Sequence, residues 1–577
     1  MAYNVGTTEQ VYVSTEGSFG ALANPVAADG VRHLSVKLDY KEERVNRDDR
    51  GRGTKGVDEK ISRAKKTTFQ LDGYVVPSGI SGTEPDIKDI LGAIFDTPST
   101  TSITTITSCT ASGAVLTDPA AAAANQWIGV RMADGTVKAV FVTANIPVSG
   151  APSGVISWIP TLPSAPVEGS AILSGINYPL KRKNLNSFTL HQLFGDPMFS
   201  NVGCKPEEMT VNVGGGEEAK ISFKGFSKDQ LMVCEAPLLW PMKANYAFSE
   251  TGAGAVFPGP TSKSFKISVA GDAAEQIDLL GTEPTWAAVV NTINGVLSGL
   301  TGVNNAAAMA VPKAGGFYIR AGATGNGKDV LLTAGASNDY SVTGVLGSVN
   351  GGYELDADEL IYNGIGGIDI GMKILVDSEI MTVVSTLSGV GVYYAFRLTV
   401  TRGGATDLAI ATVIHPYNPG HTTSGSPASG FCGAFQLAEI VVGGVLYGVP
   451  YFAVADFPIL DYSMTLTEGV KAIENVVGSQ TPVGFHHGVR RSVKVKFSAY
   501  LTDTIVAMIP IIKAKIAIAL TAQIGDSAGN IMALCTPKVE LTSLPTPDTS
   551  VGDAVKDSFE GDALETNGED ELYIAFI

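Results

Sequence analysis

The sequence predicts a mainly β protein: two related β-sandwich or half-barrel units with short helices, interrupted by small inserted β-barrel modules and one α+β module. Three observations carry this expectation. Glycine accounts for 66 of 577 residues, aromatics are 8% and charged residues 17%, a β-leaning composition with far too much apolar content for disorder. Short period-two segments bounded by Gly, Pro and Ser recur along the chain. The most informative observation is that the two ends repeat one pattern in one order, and a repeated unit implies a repeated role in an assembly.

In chain order, Leu34-Ser-Val-Lys-Leu38 is answered by Tyr462-Ser-Met-Thr-Leu466, and Lys65 to Tyr74 by Arg491 to Tyr500. A short apolar helix candidate follows each, over 85–95 and 503–509. Ser187 to His191, Val202 to Val211 and Lys220 to Gly225 then match Leu520 to Ile524, Ala533 to Leu541 and Val555 to Gly561. The shared order and the Cys204-x-Pro206 and Cys535-x-Pro537 pair weigh more than any single strand match. These matches place a first β-unit at 1–96 and 181–250, and a second at 424–577.

The intervening stretches read as insertions. Residues 97–180 carry short alternating strands such as Gly129 to Met132 and Ala139 to Val142, the pattern of a small β-barrel or sandwich. Within residues 251–352 the pattern changes after the hinge Phe257-Pro-Gly-Pro260. Trp286, Val289, Val290, Ile293, Val296 and Leu297 fall at helical spacing between strands, an α+β module. Residues 353–423 resemble the first insert, with strands over 372–376, 379–384 and 397–402.

At this length, roughly three to five domains are expected. The net charge of −17 argues against a dedicated nucleic-acid binder, whose phosphate contacts need clustered Lys and Arg. Five scattered cysteines without CxxC spacing fit buried thiols in a reducing compartment better than disulfides or zinc. The start Met-Ala-Tyr-Asn-Val-Gly lacks a basic, apolar leader, and Ile505 to Leu520 is too short and interrupted to span a bilayer. Synthesis in a cytoplasm, and solubility there, is the expectation.

No catalytic constellation emerges. Gly322 to Asp329 matches G-x-x-x-x-G-K, but it ends in Asp and feeds a strand-like Val330-Leu-Leu rather than a helix N-terminus, so a turn is the better account. Gly525-Asp-Ser527-Ala-Gly529 matches G-x-S-x-G, yet no histidine follows His487 and a strand comes next, which makes it a hairpin turn. The six histidines include no i, i+4 pair. No catalytic, cofactor or metal residue is assigned.

Both units join their first two long strands by an extended polar connection. In the first it runs from Lys41 to Ala64 and includes Arg44, Arg47, Asp48, Asp49, Arg50, Arg52 and Lys55; in the second it runs from Gly469 to Val489 and ends at His486 and His487. Mixed-charge connections this long are uncommon inside compact domains. These nine residues are the candidate assembly contacts, with a solvated loop as the alternative.

Together the long first hairpin, short helix, Cys/Pro-containing strand and terminal Phe-x-Gly strand, present twice, resemble the tail tube (major tail) proteins of bacteriophages. The similarity is greatest to the duplicated type found in long non-contractile tails, and covers about 300 of the 577 residues. The resemblance implies tail-tube-like β-units whose sheets join edge to edge into a closed barrel with a lumen for DNA. Three duplicated chains would make one pseudo-sixfold ring, and rings would stack through the long loops. It further implies a virion protein assembled in the host cytoplasm. Its partners would be further copies of itself, the tape measure protein, and the tail terminator and distal tail proteins. DNA would pass an acidic lumen without specific binding, and no membrane would be involved. A receptor- or glycan-binding tail or baseplate protein is the alternative, while a polysaccharide-degrading tail enzyme should show a β-helix with grooved carboxylate pairs, which the sequence lacks.

Overall fold

The computed structural model describes residues 9–46, 60–147, 153–233 (without 196 and 215–216), 459–500 (without 475), 513–543 and 556–577 (without 567). Between 236 and 447 it describes one helix, a series of short strands and their short flanks. The chain divides into two compact units, the larger formed by Glu9–Gln192, Ser200–Gln230 and Pro419–Ile577, the other mainly by Leu231–Asn418.

In the larger unit the first copy contributes β1 (Glu9–Thr15), β2 (Ser35–Asn46), β3 (Lys60–Tyr74), β4 (Phe188–Phe194), β5 (Met198–Gly214) and β6 (Lys220–Ser227). The second contributes β7 (Phe431–Leu437), β8 (Ile459–Thr467), β9 (Ser492–Tyr500), β10 (Ile518–Ile524), β11 (Met532–Leu541) and β12 (Lys556–Ala563), followed by β13 (Tyr573–Phe576). Strands that bury one face alternate, whereas β4 and β10 are covered on both faces and read as continuous buried runs. In β9, Val493, Val495, Phe497 and Ala499 are buried, while Lys494 and Lys496 between them are exposed.

One sheet runs β2-β3-β6-β5-β8-β9-β12-β11-β13 and forms a half-barrel. Beside it, β1 pairs β4 and β4 pairs β5, just as β7 pairs β10 and β10 pairs β11. The pairing pattern of β1 to β6 therefore recurs in β7 to β12. The two copies meet at one seam, where β5 and β8 pair antiparallel from Glu208 opposite Thr467 to Gly214 opposite Asp461.

Register shows where the repeat holds and where it drifts. Phe69 and Leu71 face Gly225 and Phe223, as Val495 and Phe497 face Gly561 and Phe559. Leu38, however, faces Phe69 while Met464 faces Val495, so the counterpart of Leu38 is Met464 and the sequence match to Leu466 is two residues out. A two-residue slide keeps every side chain on its own face of a strand, which is why the sequence pattern did not reveal it. The Cys-x-Pro match drifts further, since Gly225 pairs with Pro206 but Gly561 pairs with Leu541.

The core lies on one face of this sheet. It is built from Phe69, Leu71, Val211, Phe223, Met464, Val495 and Phe497, with Phe497 stacked on Phe559 at 5.0 Å between centroids. Helix α1 (Lys88–Ile94) buries Ile90, Leu91, Ala93 and Ile94 in it. The corresponding candidate over 503–509 lies outside the described residues.

The first insert pairs Ile106–Thr110, Gly113–Leu116, Gly154–Ile159, Val137–Pro147 and Trp127–Arg131 in that order. Bridges from Thr105 to Ala171 and from Gly129 to Leu173 tie both edges together. Trp127 and Phe141 pack on Ile531, Ala533, Ala575 and Ile577, so this module covers the second copy's strands. Its expected limits of 97 and 180 enclose Ser99–Thr100 and Ile176–Pro179, which extend the large sheet beside β13.

In the second unit, α2 (Trp286–Leu297) buries Val290, Ile293 and Leu297. Lys263–Val269 pairs with Glu275–Leu279 and Val330–Ala334. A six-stranded sheet includes Lys373–Val376, Glu379–Leu387 and Ala395–Arg402. Although the expected first β-unit extends to residue 250, Ala236–Pro237 pairs with Val413–Pro416 of this sheet, and Asn245–Ser249 pairs with Gly316–Arg320. The stretch Gly322 to Asp329 lies outside the described residues, whereas Gly525 to Gly529 lies in the hairpin between β10 and β11, closed by Ile524 opposite Met532.

Candidate assembly surface

Three features of the larger unit stand out: a sheet edge, a polar sheet face and a buried charge cluster at the seam. The edge is β2, which pairs only with β3 among the described strands. Its Val36 and Leu38 are only partly buried against the core, whereas their counterparts Tyr462 and Met464 on β8 are buried, because β5 lies alongside. Along β2, Lys37, Lys41, Glu43 and Arg44 are exposed, the charge dressing that keeps lone edges from pairing at random.

The face opposite the core is polar across all eight strands from β2 to β11. Lysines and carboxylates interleave on it: Lys224 Nζ lies 3.2 Å from Glu208, Lys496 Nζ 2.9 Å from Glu560, and Lys37 Nζ 3.0 Å from Asp39. Asp72 accepts hydrogen bonds from Ser222, Gln70 and Ser35; burial raises its pKa, but these donors outweigh it and hold the carboxyl below its ordinary value. Despite the net charge of −17, this face is charge-balanced.

At the seam, β5 brings in Lys205, which is 1% exposed. Its Nζ donates to the carbonyls of Ala93 (2.5 Å), Asn184 (2.9 Å) and Asn186 (3.0 Å) and sits 5.0 Å from the Phe485 ring centroid. Burial pushes its pKa down to about 7, opposed by Glu468. The three carbonyl acceptors match the three donors of an ammonium, so the charged form is the one this pocket fits.

Glu468, just past β8, is 5% exposed, and burial pushes its carboxyl up to about 7 against Arg491 and Lys205. Arg491, just before β9, places Nε 3.3 Å from Glu468, Nη1 2.5 Å from Glu569 and 3.8 Å from Glu571, and donates through Nη2 to the Lys181 carbonyl. Sequence reasoning missed all three residues. The only local signal was a lysine set between Cys204 and Pro206 in an apolar strand.

The nine candidate assembly residues fare differently. Arg44 is exposed on β2 and ion-pairs with Glu42. Arg47, Asp48, Asp49, Arg50, Arg52 and Lys55 lie outside the described residues. His486 and His487 belong to a hairpin formed by Val470–Ile473 and Gly484–His487 within the second copy's long connection. His486 is exposed, while the Nε2 of His487 approaches the Asn184 carbonyl at 3.1 Å, so His487 is engaged within the chain itself. Among the described residues no His, Cys, Asp and Glu cluster fits a metal ion, and no helix is long and apolar enough to cross a membrane.

No protein-family model matches the chain, and no curated protein sequence matches it.

Proposed function

We propose that this chain is a structural virion subunit, a tail tube protein whose copies close into trimeric, pseudo-sixfold rings that stack into a conduit for phage DNA. The observation that carries this reading is the recurrence of β1 to β6 as β7 to β12, joined edge to edge through the β5–β8 seam. A chain that already joins two like units side by side, and still offers β2 as an edge, is suited to repeating the same join with further copies. Closure removes the free edge, and three chains supply six units. The balanced polar face, turned inward, would let phosphates slide past without adhering. Tape measure protein within, and terminator and distal tail proteins at the ends, would complete the tail in the virion after assembly in the host cytoplasm.

Negative-stain microscopy of the purified protein across a concentration series tests this. Tubes or three-chain rings are expected. Elongated trimeric spikes would favour a receptor-binding role, and monomers at every concentration would overturn the proposal.

A further inference from the structure

The joint between the two β-units poses a problem of register. β5 and β8 are distant in sequence, so no turn sets their alignment. Their faces do not set it either. Met209, Val211 and Val213 lie opposite Leu466, Met464 and Tyr462 on the core side, and Thr210 and Asn212 lie opposite Thr465 and Ser463 on the polar side. A slide of two residues would leave apolar side chains inward and polar ones outward.

The charge cluster at the end of the seam would not survive such a slide. Lys205 comes from the first copy, and Glu468, Phe485 and Arg491 from the second. The Glu468 amide donates to the Glu207 carbonyl at 2.9 Å, adding a rung beyond the ladder, and Arg491 reaches across to the Lys181 carbonyl. We infer that Lys205, Glu468 and Arg491 form a register lock that selects one alignment of the two β-units out of several that the strand pattern allows. A two-residue slide carries Lys205 about 7 Å away from Glu468 and strands both charges in a buried site.

The lock belongs to this joint and not to the β-unit as such. By register Lys205 corresponds to Glu540, and Glu468 and Arg491 correspond to Glu42 and Lys65. Glu42 lies opposite Lys65 in the β2–β3 hairpin and ion-pairs with Arg44. The second copy therefore lacks the lysine, and the first keeps its acid and base in a surface hairpin. Buried charges retained to specify alignment, at some cost in stability, are an attested use of such groups.

Cysteine pairs read the alignment directly. Thr210 and Thr465 face each other with hydroxyl oxygens 3.3 Å apart, so Thr210→Cys with Thr465→Cys reports the native register. Thr210→Cys with Ser463→Cys or with Thr467→Cys reports a slide in either direction. With the lock intact, mild oxidation should give the native cross-link and only background for the others, with peptide mapping separating these from native thiols. In the Lys205→Met, Glu468→Gln background, the slid cross-links should rise by about tenfold or more, given the bias that stranded buried charges impose. A native-only pattern in that background overturns the inference. Should the double variant not fold, Glu468→Gln alone decides: slid cross-links above background support the lock, and a native-only pattern again overturns it. The readout lies within one chain and does not depend on whether copies assemble.

Discussion

Replacing Leu38 by glutamate should separate the folding of a chain from its association with others. Leu38 is half-buried on the edge strand β2, and its counterpart Met464 is 0% exposed beneath the β5–β8 seam. Fully burying a leucine contributes about 1.5–3 kcal/mol, so roughly 1 kcal/mol is already realised in the lone chain and about as much remains for a neighbour to supply. A carboxylate in the covered position adds a desolvation cost of about 3 kcal/mol or more. Each contact between chains then loses about 4 kcal/mol, close to a thousandfold in association constant, while the isolated chain loses about 1 kcal/mol. Thermal or urea unfolding measures the first quantity, and sedimentation velocity with microscopy the second. Leu38→Glu should be folded and monomeric at concentrations where the parent assembles, whereas Met464→Glu, at the closed seam, should fail to fold. Assembly of Leu38→Glu at the parent's critical concentration would refute β2 as the contact edge.

Other perturbations test the interior. Phe559→Ala removes one ring of the stacked Phe497 pair and should cost about 3–5 kcal/mol in chemical denaturation. Buried Glu16 accepts from Ser187 Oγ (2.6 Å), Thr189 Oγ1 (2.9 Å) and the amides of Gly20 (2.8 Å) and Gly203 (2.7 Å). Glu16→Ala leaves these donors without an acceptor and should cost about 3 kcal/mol or more by the same measurement. Burial lowers His191 from its ordinary 6.5 to about 4. Because the folded state binds its proton less readily, the stabilisation is fully present above pH 6.5 and is lost as pH falls through 4. The whole span is about 3 kcal/mol. His191→Gln should flatten the dependence of unfolding free energy on pH across that window, and an unchanged slope would exclude His191 as its source.

Alternation and its recurrence located β2 to β6 and β8 to β12 but gave no sign of β1, β7 or β13; a pleated strand that buries only one face writes that face into every second residue, whereas one covered on both faces does not. Helix α2 was equally legible from its 3.6-residue spacing. The hairpin of 470–473 and 484–487 was not, since its strands are four residues each and two such runs within a polar connection carry little periodic signal. The charge cluster escaped for a different reason: Lys205, Glu468 and Arg491 are solitary charges in unrelated stretches, and nothing in their neighbourhoods says that they meet.

From residue order alone came the β class, the duplication and the presence of inserted material, though not its limits, since all three rest on local pattern and on its recurrence. Tertiary structure decided the rest. It joined β5 to β8, turned the lysines and carboxylates of eight strands onto one balanced face, and set the alignment of the two copies. A two-residue periodicity is blind to slides of two, so only long-range contacts, buried charge among them, could choose between the alternatives.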